Sequence, residues 1–285
     1  MKVGLSGLNV GPFGRPELLA QFARQAEQFG FESVDVIEHI CVPVKHVPYP
    51  GTPDGQVPGG DRNAIAEPLS TLAYTAALTT KIKLITGVIL LPLHHPIYLA
   101  KQLATLDVLS NGRVICGISN GWCKEEYEAL GVEWRVRGKR TDEAIAAMRA
   151  LWSKEAASFN GRQFNFKEVY SFPKPAQKAG IPIMIGGYTP AAARRAGRIG
   201  DGFFPLVPDN SKLKALIELM RAEARKHGRN PDLLEVSTGA PAELDAIKAL
   251  EDLGVSRVII RPPSIVPAEL GAGLEKIANT VIAKL

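Results

Sequence analysis

Short β-branched runs recur eight times along the chain, each followed by a longer stretch of helical periodicity, with Gly, Pro, Asn or Asp at the boundaries. The predicted strands are Val3 to Leu8, Val34 to His39, Leu84 to Leu90, Val114 to Ser119, Ile183 to Gly186, Gly202 to Leu206, Leu234 to Gly239 and Arg257 to Arg261. The predicted helices are Pro16 to Phe29, Pro68 to Thr79, Pro96 to Leu109, Glu125 to Trp152 with a break near Gly131, Pro190 to Ile199, Ser211 to His227, Pro241 to Leu253 and Pro267 to Lys284. Proline recurs at helix starts, where its fixed φ suits the first turn. Eight βα units in 285 residues, with no composition shift marking a boundary, predict an α/β fold of one (β/α)8 TIM barrel domain over residues 1–285. Two connections are too long for simple turns and are read as insertions: Ile40 to Glu67 after strand 2, and Ser153 to Pro182 after helix 4.

The chemistry of the chain is that of a globular protein with a large core: 46% hydrophobic residues, 22% charged, and a mean hydropathy of +0.02. The longest apolar stretch, Leu84 to Leu93, is interrupted by Thr86, Gly87 and Pro92. It falls short of the roughly 18 residues of a membrane span. The N-terminus reads as a strand rather than a signal peptide, so a cytoplasmic protein is expected. Cys41, Cys116 and Cys123 are an odd set without CxxC spacing, which argues against disulfides and structural zinc. Although the net charge is +5, the 34 basic and 29 acidic residues are interspersed and lack interleaved aromatics, so nucleic acid is not the expected partner.

Three strand ends carry candidate chemistry. Gly186-Gly187-Tyr188-Thr189-Pro190 runs from a strand into a helix and is built like a phosphate cradle: glycines admit an anion to the backbone, Thr189 offers a hydroxyl and a cap, and the helix dipole adds attraction. A plain Gly-rich turn with a capping Thr is the alternative. Gly117-Ile118-Ser119-Asn120-Gly121-Trp122 lacks the GxGxxG spacing of a dinucleotide site, yet Ser119 and Asn120 are placed to hydrogen-bond a ligand ring or sugar chain; a simple turn reads equally well. Glu38-His39 closes the second strand, where alternation points one of the pair into the barrel mouth. His39 is the candidate for proton transfer, though a lone histidine is more often structural.

The remaining features are weaker. His94 and His95 project differently and have no carboxylate or cysteine at chelating spacing, so no metal site is expected. Gly87, inside an apolar strand, marks a bulge or a close packing contact. There is no GxSxG elbow or HExxH; Cys123 reads as a bystander thiol, and Arg137, Lys139, Arg140 and Glu143 as a solvated helix face.

In combination the segments 99–113, Gly121-Trp122-Cys123-Lys124-Glu125-Glu126-Tyr127, Arg140-Thr141-Asp142-Glu143 and Gly186-Gly187-Tyr188-Thr189-Pro190 resemble the luciferase-like monooxygenase superfamily, and within it the deazaflavin-dependent oxidoreductases. The resemblance implies a barrel that binds coenzyme F420 or FMN at the strand C-termini, with a non-prolyl cis peptide at Gly87-Val88 supporting the ring. It implies cofactor contacts from Thr86, Gly87, Val88, Ser119, Asn120, Gly186, Gly187, Tyr188 and Thr189, an acid–His pair at Glu38 and His39, and a homodimer. The sequence departs from the family pattern at Glu38, at His94-His95-Pro96, at Gly117-Ile118-Ser119 and at Phe203, all around the ring. The expected activity is therefore hydride transfer between F420 and a small organic substrate. The alternatives are an FMN-dependent monooxygenase and a non-catalytic flavin or deazaflavin carrier.

Overall fold

The structure, a computed structural model, describes residues 1–50 and 52–285. Its strands in chain order are β1 (Lys2–Leu5), β2 (Ser33–Val36), β3 (Lys83–Thr86), β4 (Ile89–Leu90), β5 (Val114–Ser119), β6 (Ala156–Asn160), β7 (Asn165–Tyr170), β8 (Ile183–Gly186), β9 (Gly202–Phe204), β10 (Glu235–Gly239) and β11 (Arg257–Ile260). With β3 and β4 counted as one interrupted strand, eight parallel strands close into a barrel, β1 pairing with β2 and β11 and β3 pairing with β2 and β5. The helices are α1 (Pro16–Gln28), α2 (Pro68–Leu78), α3 (Pro96–Leu109), α4 (Lys124–Ala129), α5 (Arg137–Ser153), α6 (Pro190–Ile199), α7 (Asn210–Lys226), α8 (Leu244–Asp252) and α9 (Pro267–Thr280). Proline opens α1, α2, α3, α6 and α9, as the sequence predicts.

Alternation along the strands divides the core in two. Val34, Leu84, Val114, Ile183, Phe203 and Val258 face outward into the large apolar layer beneath the helices. Ile85, Ile115, Met184, Phe204 and Ile259 face inward and fill the barrel, with the half-buried Val88 above them. The N-terminal end of the barrel is closed by charge. Arg257, 1% exposed, reaches Glu32 through two bonds of 2.8 Å and Glu235 at 2.9 Å, and Lys2 also pairs with Glu235.

Several boundaries differ from the sequence reading for identifiable reasons. β2 ends at Val36, not His39, because the Asn9 side chain takes over as its partner, donating to the Ile37 carbonyl (2.8 Å) and accepting from the Ile37 N–H (3.0 Å). The third strand breaks after Thr86, where the Gly87–Val88 peptide is cis. α8 starts at Leu244, leaving Pro241 in the preceding turn. The segment after α5, an insertion by the sequence, carries an antiparallel hairpin, β6–β7. Its tip is held by the Glu143 carboxylate, which accepts from the N–H groups of Arg162 (3.1 Å) and Gln163 (2.7 Å). No helix among the described residues is long and apolar enough to cross a membrane.

Candidate active site

The C-terminal ends of the strands form the mouth of the barrel, the end at which α/β barrels build their sites. Its floor is the Thr86–Val88 segment. Gly117 on β5 approaches this segment so closely that a Cβ there would lie 2.0 Å from the Thr86 carbonyl oxygen, so only glycine fits. Thr86 is fully buried, and its hydroxyl donates to the Gly117 carbonyl at 2.7 Å. Val88, beside Gly186, caps the apolar interior and offers a nonpolar surface for a flat ring.

At one edge of this floor β8 runs into α6. Thr189 caps the helix, its Oγ1 accepting from the Ala192 N–H at 3.3 Å. Gly187 has φ +130°, a conformation side chains disfavour, and its N–H is engaged by the Phe204 carbonyl at 3.3 Å. The N–H groups of Tyr188, Thr189 and Ala191 have no acceptor among the described residues. Three N–H donors without acceptors at a helix N-terminus are what an anion cradle requires. The N–H groups without acceptors therefore lie on the helix side of Gly187.

The Glu38-His39 neighbours do not act on each other. The Glu38 carboxylate, 6% exposed, accepts from the Leu90 N–H at 2.7 Å and from His94 Nε2 at 3.0 Å, so it braces β4 and the loop beyond it. His39 turns the other way. Its Nδ1 lies 2.9 Å from Oε2 of Glu126, a carboxylate 1% exposed whose other oxygen accepts from the N–H groups of Ile40 (2.8 Å) and Cys41 (3.3 Å). A carboxylate only accepts, so Nδ1 carries the proton and Nε2 is the nitrogen left for chemistry. Glu126 is a site residue that the motif reading passed over. Its one signal is a carboxylate beside Tyr127 on the buried face of α4.

Aromatic rings wall the site. Trp122 meets His39, His46 and Tyr49 edge-on, with centroids 5.7, 5.4 and 5.1 Å apart. The loop after β2 thus folds over the mouth, pinned by His46 Nε2 to Asp61 at 3.1 Å. Burial, then the neighbouring Tyr188, push the Tyr49 phenol up, while the Arg261 charge pulls it down. Ser119 and Asn120 stand at the end of β5. Ser119 Oγ accepts from the Gly121 N–H (3.2 Å) and Asn120 Oδ1 from the Thr141 hydroxyl (2.7 Å), which leaves the Asn120 amide nitrogen without a partner among the described residues.

The described residues bring no group of three metal-ligating side chains together. A flat ring with an anionic tail fits what is present: an apolar floor, three N–H donors without acceptors and an oriented histidine at one end of the barrel.

Comparison with known proteins agrees with this geometry. The family model for luciferase-like monooxygenases matches residues 6–249. An uncharacterized protein of Mycobacterium tuberculosis is 32% identical over 273 residues, 92% of this chain and 94% of its own. The F420-dependent glucose-6-phosphate dehydrogenase of Kineococcus radiotolerans is 32% identical over 247 residues, covering 83% of this chain and 67% of its own. The FMNH(2)-dependent dimethylsulfone monooxygenase of Pseudomonas putida is 34% identical over 155 residues, 53% of this chain and 42% of its own. Among solved structures, the monooxygenase RslO1 of Streptomyces bottropensis superposes with a TM-score of 0.81 at 22% identity, covering 100% of this chain and 99% of its own. An F420-dependent secondary alcohol dehydrogenase superposes with a TM-score of 0.79 at 20% identity, covering 99% and 98%. These two likenesses concern the fold.

Proposed function

The chain belongs to the luciferase-like monooxygenase family, and we propose that within it this protein is an oxidoreductase moving a hydride between coenzyme F420 and a small organic substrate. The observation that carries this reading is His39, held by Glu126 at 2.9 Å at the same barrel end as the floor at Val88 and the cradle at Tyr188, Thr189 and Ala191. A deazaflavin bound there would supply a ring carbon that exchanges hydride and reacts poorly with oxygen. The protein's part is to seat the phosphate on the α6 N–H groups, to press the ring onto Val88, and to hold His39 with Nε2 free to give or take the substrate's proton. Thr86, Gly87, Ser119, Asn120, Gly186 and Gly187 shape the rest of the seat. Glu38 acts by bracing the floor through Leu90 and His94.

Relatedness favours F420 over FMN, since the F420-dependent relative aligns over 83% of the chain and the FMNH(2)-dependent one over 53%. The second reading, an FMN-dependent monooxygenase, draws on that shorter match at 34% identity. Titration of the purified protein with F420 and with FMN, followed by absorbance and fluorescence, separates them. Saturable F420 binding with FMN at least tenfold weaker is expected; the reverse order would install the flavin reading. A homodimer belongs to the proposal, with the exposed Tyr98, Tyr170 and Phe172 as apolar surface for a second copy, and sedimentation velocity checks it.

A further inference from the structure

A hollow of about 210 Å³ opens beside His39, lined among others by Cys41, Arg62, Asn63 and Ile65 where the loop after β2 folds back toward β1. Pockets for drug-sized ligands start at roughly 300 Å³, so this one suits a molecule of only a few heavy atoms. Most of its charge is already matched. Asp61 is taken by His46 at 3.1 Å and by the Val57 N–H at 3.1 Å, and Glu126 by His39, Ile40 and Cys41. Burial and then the Glu126 charge push the Cys41 thiol up, which keeps it neutral. Arg62 differs: it is exposed and makes no ion pair or side-chain hydrogen bond among the described residues. One hollow therefore holds an oriented histidine and an unmatched guanidinium, whose planar fork fits a carboxylate.

We propose that this hollow takes a small hydroxy- or oxo-carboxylate, with its carboxylate on Arg62 and its hydroxyl or carbonyl oxygen at His39 Nε2. The proposal rests on the hydride-transfer reading and deepens it by naming the substrate class. In the oxidation, the substrate C–H bond breaks and its electron pair leaves as hydride to the deazaflavin. The hydroxyl proton passes to His39 Nε2, and the carbon–oxygen bond becomes a carbonyl. The reduction runs the same steps backward.

Calorimetric titration of the cofactor-free protein tests the site without catalysis. The probes are glycolate, lactate and 2-hydroxybutyrate, each against its uncharged diol counterpart. A charge-assisted contact predicts that the acids bind about tenfold or more tightly than the diols. Arg62→Gln, at an exposed position, should erase that difference, and Arg62→Lys should restore part of it. Equal binding of acids and diols by the wild type, silence of all three acids, or an Arg62→Gln variant that still discriminates overturns the proposal. The two readings fail separately. Reduction of F420 by neutral alcohols as readily as by the acids sinks the substrate class and leaves hydride transfer standing, whereas acid binding without any cofactor reduction does the opposite.

Discussion

Asp35 and His39 show how one strand and its extension set two titratable groups to different tasks. Asp35 points into the apolar barrel, 2% exposed, with one hydrogen bond, from the Gly7 N–H at 2.9 Å, and its Oδ2 lies against Gly87. Burial pushes its carboxyl up from 3.8 to about 7, only partly offset by that bond. A carboxyl raised in the folded state loses stability for the protein as pH climbs from the unfolded value to the folded one, and the loss is complete above about 7. It amounts to about 4 kcal/mol. Asp35→Asn should therefore gain on the wild type by up to that amount between pH 4 and pH 8; parallel unfolding curves across this range would show that Asp35 is not buried as described. His39 differs because Glu126 orients it. His39→Ala should slow single-turnover hydride transfer by roughly 100-fold while cofactor affinity stays within a few-fold. An unchanged rate in a folded variant removes its role in proton transfer. His39 was legible as a candidate because a histidine at a strand end is conspicuous. Glu126 was not, because 87 residues separate the pair and nothing in a single sequence says which of Glu125, Glu126 and Glu128 turns inward.

At the scale of elements, the βα rhythm was readable because inward and outward alternation on the strands and the proline-opened helices gave the same answer from independent signals. The third strand was legible as a run with a suspect glycine, and the structure divides it into β3 and β4 at that point. The β6–β7 hairpin was missed although Asn160-Gly161 is a turn signature. Its strands are short, mostly exposed and shifted in register between Ala157 and Phe159, which blurs the alternation that reveals a strand. The hairpin matters to the site, since Phe164 at its tip sits 5.5 Å from His95 and under Arg140 at 4.4 Å. The element that most directly tests cofactor binding is α6. Gly187→Asp would confound strain with charge, because a Cβ at Gly187 would sit 3.0 Å from that of Ala192 in a backbone conformation reserved for glycine. Thr189→Asp separates the two: aspartate caps a helix as well as threonine does, so the melting temperature should hold, while its charge competes with the ligand phosphate. Cofactor affinity should fall about tenfold or more by fluorescence titration, and undiminished binding in the folded variant would move the phosphate elsewhere.

Across the whole molecule, the proposed ligand site and the buried charge cluster lie at opposite ends of one barrel. The mouth holds the proposed cradle, the floor and three histidine–carboxylate pairs, while the far end is closed by Arg257 among Glu32, Glu235 and Ser237, the last at 3.2 Å. Between them lie the apolar packing of Ile85, Ile115, Met184, Phe204 and Ile259 and the buried carboxyl of Asp35. Arg257→Met removes the cation that both Glu32 and Glu235 share and leaves Lys2 paired with Glu235. Breaking a buried pair by removing one partner costs about 3–5 kcal/mol; the figure here belongs at the lower end, because Glu32 and Glu235 are 26% and 38% exposed and water can solvate them. Denaturant unfolding should therefore show a loss of about 3 kcal/mol, growing at low ionic strength as the two carboxylates repel more strongly. Because the barrel packing is rigid and the change sits at the far end, affinity for the cofactor measured under native conditions should match the wild type within a factor of about two. A variant that lost binding in proportion to its stability would show instead that the charged plug sets the geometry of the mouth, and the separation of the two ends would have to be abandoned.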